Sequence, residues 1–192
     1  MPEPIIIEDY SPAWATTFEA LKTIYQSHLH QLIMGVEHVG STSVVGLAAK
    51  PVIDIDIIIS NPENLDTIIK KLKPLGYTHR GNLGISDREA FKCDTTYTPI
   101  DGSGKIWPKH HLYVCPSDSV SLRNHLTLRN FLRNHPQKAK EYGELKKKLA
   151  HENPYSIDRY IEQKTPFIID ILKNGGFTET EILNITEENI QK

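Results

Sequence analysis

Apolar positions along this chain switch between helical and extended spacing, and each switch marks an element. Trp14, Phe18, Leu21, Tyr25, Leu29 and Leu32 recur at helical intervals behind Ser11-Pro12, an N-cap followed by a first-turn proline. They predict an amphipathic helix to about residue 32, preceded by a short strand at Ile5-Ile6-Ile7. Val36-Glu-His-Val39 then reads as a strand, Gly40 to Ser43 as a turn entering a short helix, and Ile53-Asp-Ile-Asp-Ile-Ile-Ile59 as a second strand. Asn61-Pro62 opens another helix with Leu65, Ile68, Ile69 and Leu72 on one face, closed by Pro74 and Gly76. Residues 77–80 and 89–97 read as strands around a loop containing Gly81 and Gly84, and His110 to Cys115 as one more. From Pro116 the period is helical throughout: 118–134, 136–152, 156–173 and a short piece after Gly175-Gly176, with Pro166 ending or kinking the third. The order predicts an α+β core over residues 1–116 and a helical C-terminal part over 117–192 packed on it as a single compact unit.

One strand breaks the apolar rule. Asp54 and Asp56 lie two apart, so they share a face while Ile53, Ile55 and Ile57 point the other way. Two carboxylates in an aliphatic strand are costly to bury unless a cation or an exposed strand end compensates them. Just upstream, Gly40 permits a tight turn and close approach to a ligand, and Ser41, Thr42 and Ser43 offer hydroxyls and N–H groups at a helix start that favours anions. Together these are the parts of a phosphoryl- or nucleotidyl-transfer site, with Asp54 and Asp56 holding one or two Mg2+ (or Mn2+) ions that bridge to a phosphate. The plainer alternative is an acidic strand end facing water beside an ordinary turn.

Composition narrows the class. The 192 residues carry 22 Lys and Arg against 24 Asp and Glu, a net charge of −2, which argues against broad nucleic-acid binding and against a template channel. No apolar run is long enough for a bilayer, and the opening Met1-Pro-Glu-Pro lacks a basic-then-apolar leader. Cys93 and Cys115 have neither CxxC spacing nor disulfide density, so a reducing, cytoplasmic setting is expected, and the Asn184-Ile-Thr186 sequon reads as chance.

The segment His38-Val-Gly-Ser-Thr-Ser-Val-Val-Gly-Leu-Ala-Ala-Lys-Pro-Val-Ile-Asp-Ile-Asp56 resembles the hallmark of the GrpB family, which is related to nucleotidyltransferases of the DNA polymerase-β type. Further blocks resemble it in family order: Tyr10-Ser-Pro-Ala-Trp14, Gly76-Tyr77, Ala90-Phe-Lys92, His110-His-Leu-Tyr-Val114, the run from His125 to Pro136, and Tyr142 to Leu149. The resemblance implies a nucleotidyltransferase-like mixed β-sheet flanked by helices, with Gly40-Ser41 as the phosphate-side turn and Asp54 and Asp56 as the metal pair. Two departures stand out: Val45 replaces a common proline, and the family's His-Leu-His is His111-Leu-Tyr113 here. Enzymes of the polymerase-β type use a third carboxylate from a later strand. No acid lies within 110–115, so His111 takes that place or it stays vacant, with Asp94 ranked behind His111.

Several residues carry two readings. His111 is a metal ligand or general base, or else a partly exposed strand histidine. His38 lines the pocket or, preferably, supports the turn; His110 faces away. Lys50 neutralises phosphate or sits in solvent, and Lys92, near Arg88, is the preferred triphosphate contact. Arg129 and Arg133 share a helix face and either clamp a nucleotide phosphate or form a solvated basic face. Lys146, Lys147 and Lys148 are read as solvent-facing, and Trp14, Phe18, Phe131 and Tyr142 as core. The leading functional reading is a metal-dependent nucleotidyltransferase using a nucleoside triphosphate and a small-molecule or protein acceptor. A non-catalytic nucleotide- or metabolite-binding module and a metal-dependent phosphoester hydrolase are the alternatives.

Overall fold

The computed structural model describes residues 3–190; Met1 and Pro2, part of the segment read for a leader, lie outside that range. Helix α1 (Pro12–Leu29) starts as the sequence predicts, with the Ser11 hydroxyl accepting from Ala13 N. Strand β1 (Gly35–Val39) leads into a tight helical turn at Ser41–Ser43, and β2 (Ile53–Ile59) follows. Helix α2 (Leu65–Leu72), strands β3 (Tyr77–His79), β4 (Glu89–Cys93) and β5 (His110–Pro116), and helices α3 (Val120–Asn134), α4 (Pro136–Glu152), α5 (Ile157–Asn174) and α6 (Glu179–Ile190) complete the order. Pro166 is accommodated inside α5 and does not end it.

The five strands form one mixed sheet in the order β1-β2-β5-β4-β3. Only β2 and β5 run parallel, in a register that sets Asp54 beside His111 and Asp56 beside Tyr113. Ile53, Ile55, Ile57, Leu112 and Val114 face the other side, where they form the main core with Phe18, Leu21, Tyr25 and Leu29 of α1 and Ile68 and Leu72 of α2. A second apolar cluster joins Val44 and Leu47 to Leu132, Tyr142, Ile168 and Leu172 of the C-terminal helices. The acidic face of the sheet therefore looks toward α3–α6.

Two strand expectations need correction. Ile5-Ile6-Ile7 is not a strand: Ile5 and Ile7 pack on Leu149, Ala150 and Tyr160, and the segment's ladder shrinks to a single bridge from Glu8 to Ala49. Ile5 and Ile7 find apolar helix surface, so they need no sheet, and Ile6 stays exposed. Strand β4 stops at Cys93, short of residue 97, because Asp94 N bonds to Gly76 O and Thr95 N to the Thr98 hydroxyl, which turns the chain.

Candidate active site

Between the acidic face of the sheet and the C-terminal helices lies a cleft of about 580 Å³. Its sheet-side wall includes Gly40, Ser41, Thr42, Asp54, His111 and Tyr113, and its helical wall His125, Arg129, Tyr142, Lys146, Tyr160 and Lys164.

Gly40 has φ 68° and ψ −173°, a conformation open essentially to glycine. A Cβ placed there would sit 2.2 Å from Asp54 Oδ2, so the missing side chain lets the turn close on the carboxylate. The turn is braced from within. Thr42 donates to Val52 O at 3.3 Å, leaving its oxygen to accept from His38 Nε2–H at 3.0 Å, and Ser43 donates to Gly40 O at 2.6 Å. His38 is stacked on Phe18 with ring centroids 4.6 Å apart, and burial lowers its pKa to about 4, keeping it neutral. It supports the turn, as preferred from the sequence. Ser43 is buried in this bracing, whereas Ser41 stays half-exposed at the cleft wall.

The carboxylates are each paired with an imidazole. His111 Nδ1–H donates to Asp54 Oδ1 at 2.9 Å, and His125 Nδ1–H donates to Asp56 Oδ2 at 2.7 Å. Burial pushes the Asp54 carboxyl up, but the hydrogen bond and charge of His111, with His125 and Lys164 behind, outweigh it and hold the group below its usual value. Each carboxylate keeps a second oxygen: Asp54 Oδ2 lies against Gly40, and Asp56 Oδ1 is buried with no hydrogen-bond partner among the described residues. An orphaned carboxylate oxygen beside a second carboxylate fits a hard, oxygen-binding cation. Among the described residues, however, no group of three or more His, Cys, Asp and Glu side chains is arranged to hold a metal. Asp87, Glu181 and Glu188 also line the cleft without completing such a group. Asp94 is exposed and accepts from Thr78 at 2.7 Å, outside the cleft lining.

The basic residues fall differently from expectation. Lys92 is exposed on β4 and does not reach the cleft lining. Lys50 lies at the cleft wall, exposed. Arg129 and Arg133 are both engaged within the fold: Arg129, buried at the cleft wall, bonds to Glu37 and His38 O, and Arg133, exposed, donates to Ser43 O at 2.8 and 3.0 Å. They hold the turn from behind, since buried carbonyls must find donors. Lys147 and Lys148 lie at the surface, where they form ion pairs, but Lys146, also read as solvent-facing, is buried, 2% exposed, and donates to Ala48 O. Burial, then repulsion from Lys164, lowers its pKa to about 7, with Asp54 opposing.

Sequence reasoning assigned no site role to His125, Arg88, Lys146 or Lys164. A signal existed for the helical ones. Lys146 falls on the same stripe of α4 as buried Ala139, Tyr142, Gly143, Leu149 and Ala150, and His125 on the stripe of Ser121, Arg129 and Leu132. A charged or titratable residue on an inward stripe is a site candidate.

The profile of the family described as GrpB protein matches residues 4–174. UPF0157 protein YqkA of Bacillus subtilis is 35% identical over 83% of this chain, which spans 43% of that protein's length. Glutamate-rich protein GrpB of Alkalihalophilus pseudofirmus is 27% identical over 88% of this chain and 94% of its own. The crystal structure of conserved protein GrpB from Enterococcus faecalis superposes with a TM-score of 0.73 at 34% identity, covering 88% of this chain and 99% of that one. A chain of the GLD-2/RNP-8 complex gives a TM-score of 0.53 at 11% identity over 96% of this chain and 67% of its own. Cid1 poly(U) polymerase with MgGTP bound gives 0.50 at 16% identity over 76% and 44%. These last two show the fold alone, that of nucleotidyltransferases.

Proposed function

The chain belongs to the GrpB family, and from that premise we propose that it is a metal-dependent nucleotidyltransferase. It moves a nucleoside monophosphate from a nucleoside triphosphate to a hydroxyl on a small-molecule or protein acceptor. One observation carries this reading: a phosphate-competent turn and a carboxylate strand share one cleft, with Gly40 so near Asp54 that no side chain fits between them.

Asp54 Oδ2 and Asp56 Oδ1, the oxygens left by His111 and His125, would hold a divalent cation, Mg2+ or Mn2+. When bound, such an ion would supply positive charge against the triphosphate and the departing pyrophosphate. Ser41 and the turn N–H groups bind the terminal phosphates, and Lys50 and Lys164 bring positive charge to the same cleft. His111, with its Nδ1–H committed to Asp54, has Nε2 left over, which in the neutral imidazole takes the proton of the acceptor hydroxyl. The acceptor oxygen bonds to the α-phosphorus as that phosphorus loses its bond to pyrophosphate.

A second reading is a nucleotide-binding module without turnover, favoured by the absence of a third metal ligand grouped with Asp54 and Asp56 among the described residues. Calorimetric titration of ATP, GTP, CTP and UTP, with and without Mg2+ or Mn2+, tests both. Metal-dependent binding of a nucleotide that disappears in the folded Asp54→Ala/Asp56→Ala variant is expected; unchanged binding in that variant sinks the site. Incubation with α-labelled nucleotide then separates transfer to an acceptor, hydrolysis to free monophosphate, and binding alone.

A further inference from the structure

Arg88 sits in the cleft wall with 7% of its surface exposed, its guanidinium 4.1 Å from the centre of the Tyr113 ring. Stacking of this kind fixes the plane of the group and leaves its edge for hydrogen bonding. That edge is not used: Arg88 Nε is buried and has no hydrogen-bond partner among the described residues. A buried N–H without an acceptor is costly, so the position calls for an anion; Asp56 acts on the same Tyr113 and Cys115 but makes no hydrogen bond to Arg88. The acids that α6 brings to this side are committed elsewhere. Glu188 Oε1 accepts from Ser86 N at 3.0 Å, and Glu181 pairs with Arg123 and accepts from Thr178 N. The Ser86–Glu188 bond also pins the loop carrying Arg88 to α6, so the guanidinium is held in place.

The sheet order says which side of the reaction this is. The phosphate-side turn follows β1, at one edge; Arg88 immediately precedes β4, beyond β5. Asp54, Asp56 and His111, on β2 and β5, lie between them. In-line displacement requires acceptor and leaving group on opposite sides of the reacting phosphorus. With pyrophosphate at the Gly40 turn, Arg88 falls on the acceptor's side. We infer that Arg88 is an acceptor-binding residue, and that the acceptor is a small molecule carrying a carboxylate or phosphate beside the hydroxyl that is modified. This rests on the transferase reading for the identity of the two sides; the anion site itself does not.

The test uses the full chain, with glycerol 3-phosphate, glycerate and inorganic phosphate as anionic probes and glycerol as the neutral control. Calorimetry should show the anions binding and glycerol not, with affinity falling roughly tenfold to a hundredfold in Arg88→Gln and recovering in part in Arg88→Lys. Glycerol 3-phosphate and glycerate binding unequally would tell a phosphate acceptor from a carboxylate one. Nucleotide binding should be the same in wild type and Arg88→Gln. A readout that needs no variant to fold is the Arg88 Nε–H resonance, which should shift with the anions and not with glycerol. Anions that leave that resonance and the Arg88→Gln comparison unmoved overturn the inference while nucleotide binding stands. Weakened nucleotide binding in Arg88→Gln also overturns it, by placing Arg88 on the donor's side. Arg88-dependent anion binding in a protein that binds no nucleotide keeps the anion site and discards the transferase reading.

Discussion

On the face of the sheet covered by α1 and α2, the polar groups that are buried are neutral and complete one another. On the face that looks into the cleft, charged groups are buried, and an atom of two of them lacks a partner among the described residues. Beneath α1, His110 Nδ1–H donates to Pro108 O at 3.0 Å, so its Nε2 accepts from Tyr77 at 2.6 Å, and Tyr77 accepts from Tyr25 at 2.6 Å. Burial raises both phenols far above their ordinary range and lowers His110, so the chain of bonds carries no charge. Across the sheet, Asp56 Oδ1 and Arg88 Nε lack partners among the described residues, and Lys146 is buried as an amine that titrates near 7. Each unsatisfied group costs about 1–3 kcal/mol. The first arrangement is what stability selects; the second makes sense when a ligand completes it.

The sharpest way to break this contrast is Gly40→Ala. The added Cβ meets Asp54 Oδ2 in a backbone conformation that alanine resists, so urea denaturation should show a loss of roughly 2–4 kcal/mol, and nucleotide binding should vanish. Wild-type behaviour in both assays would remove Gly40 from the argument. Tyr77→Phe strikes the satisfied face. It strands Tyr25 and His110, and should cost about 1–3 kcal/mol with nucleotide affinity untouched.

Lys146 gives a pH signature. Its folded value of about 7 lies below its unfolded 10.5, so between the two the unfolded chain holds the extra proton and stability climbs as pH rises. The slope is at most about 1.4 kcal/mol per pH unit. Urea titrations from pH 7 to 10 should show it, and Lys146→Met should flatten it. The smallest effect belongs to Asp56→Asn. Removing a buried charge with an unpartnered oxygen should leave stability unchanged or raise it by up to about 1 kcal/mol while abolishing metal-dependent nucleotide binding. A large destabilisation there would mean that the cleft face is built for stability after all.

Much of this molecule was legible in its residues, for identifiable reasons. The helices over 12–29 and 120–174 follow apolar stripes and proline or serine caps, which are local signals. The pairing of Asp54 with Asp56 on one face follows from strand alternation alone. What was not legible depends on partners distant in sequence. Ile5 to Ile7 carry strand propensity, yet helices α4 and α5 take Ile5 and Ile7 from the sheet. Arg129 and Arg133 look like a free basic pair until β1 and the turn supply carbonyls 90 and 91 residues upstream. Lys92 alternates correctly on its strand, but the cleft ends before it.

The reach of Arg129 and Arg133 has a mechanical consequence. These two side chains moor the backbone on both flanks of Gly40 to one rigid helix, α3, which also supplies His125 to Asp56. Turn, carboxylate and helix are thus tied together by hydrogen bonds from three side chains of α3. A division of the chain at residue 116 cuts across these ties, so the strands alone would keep the carboxylates and lose what aims them.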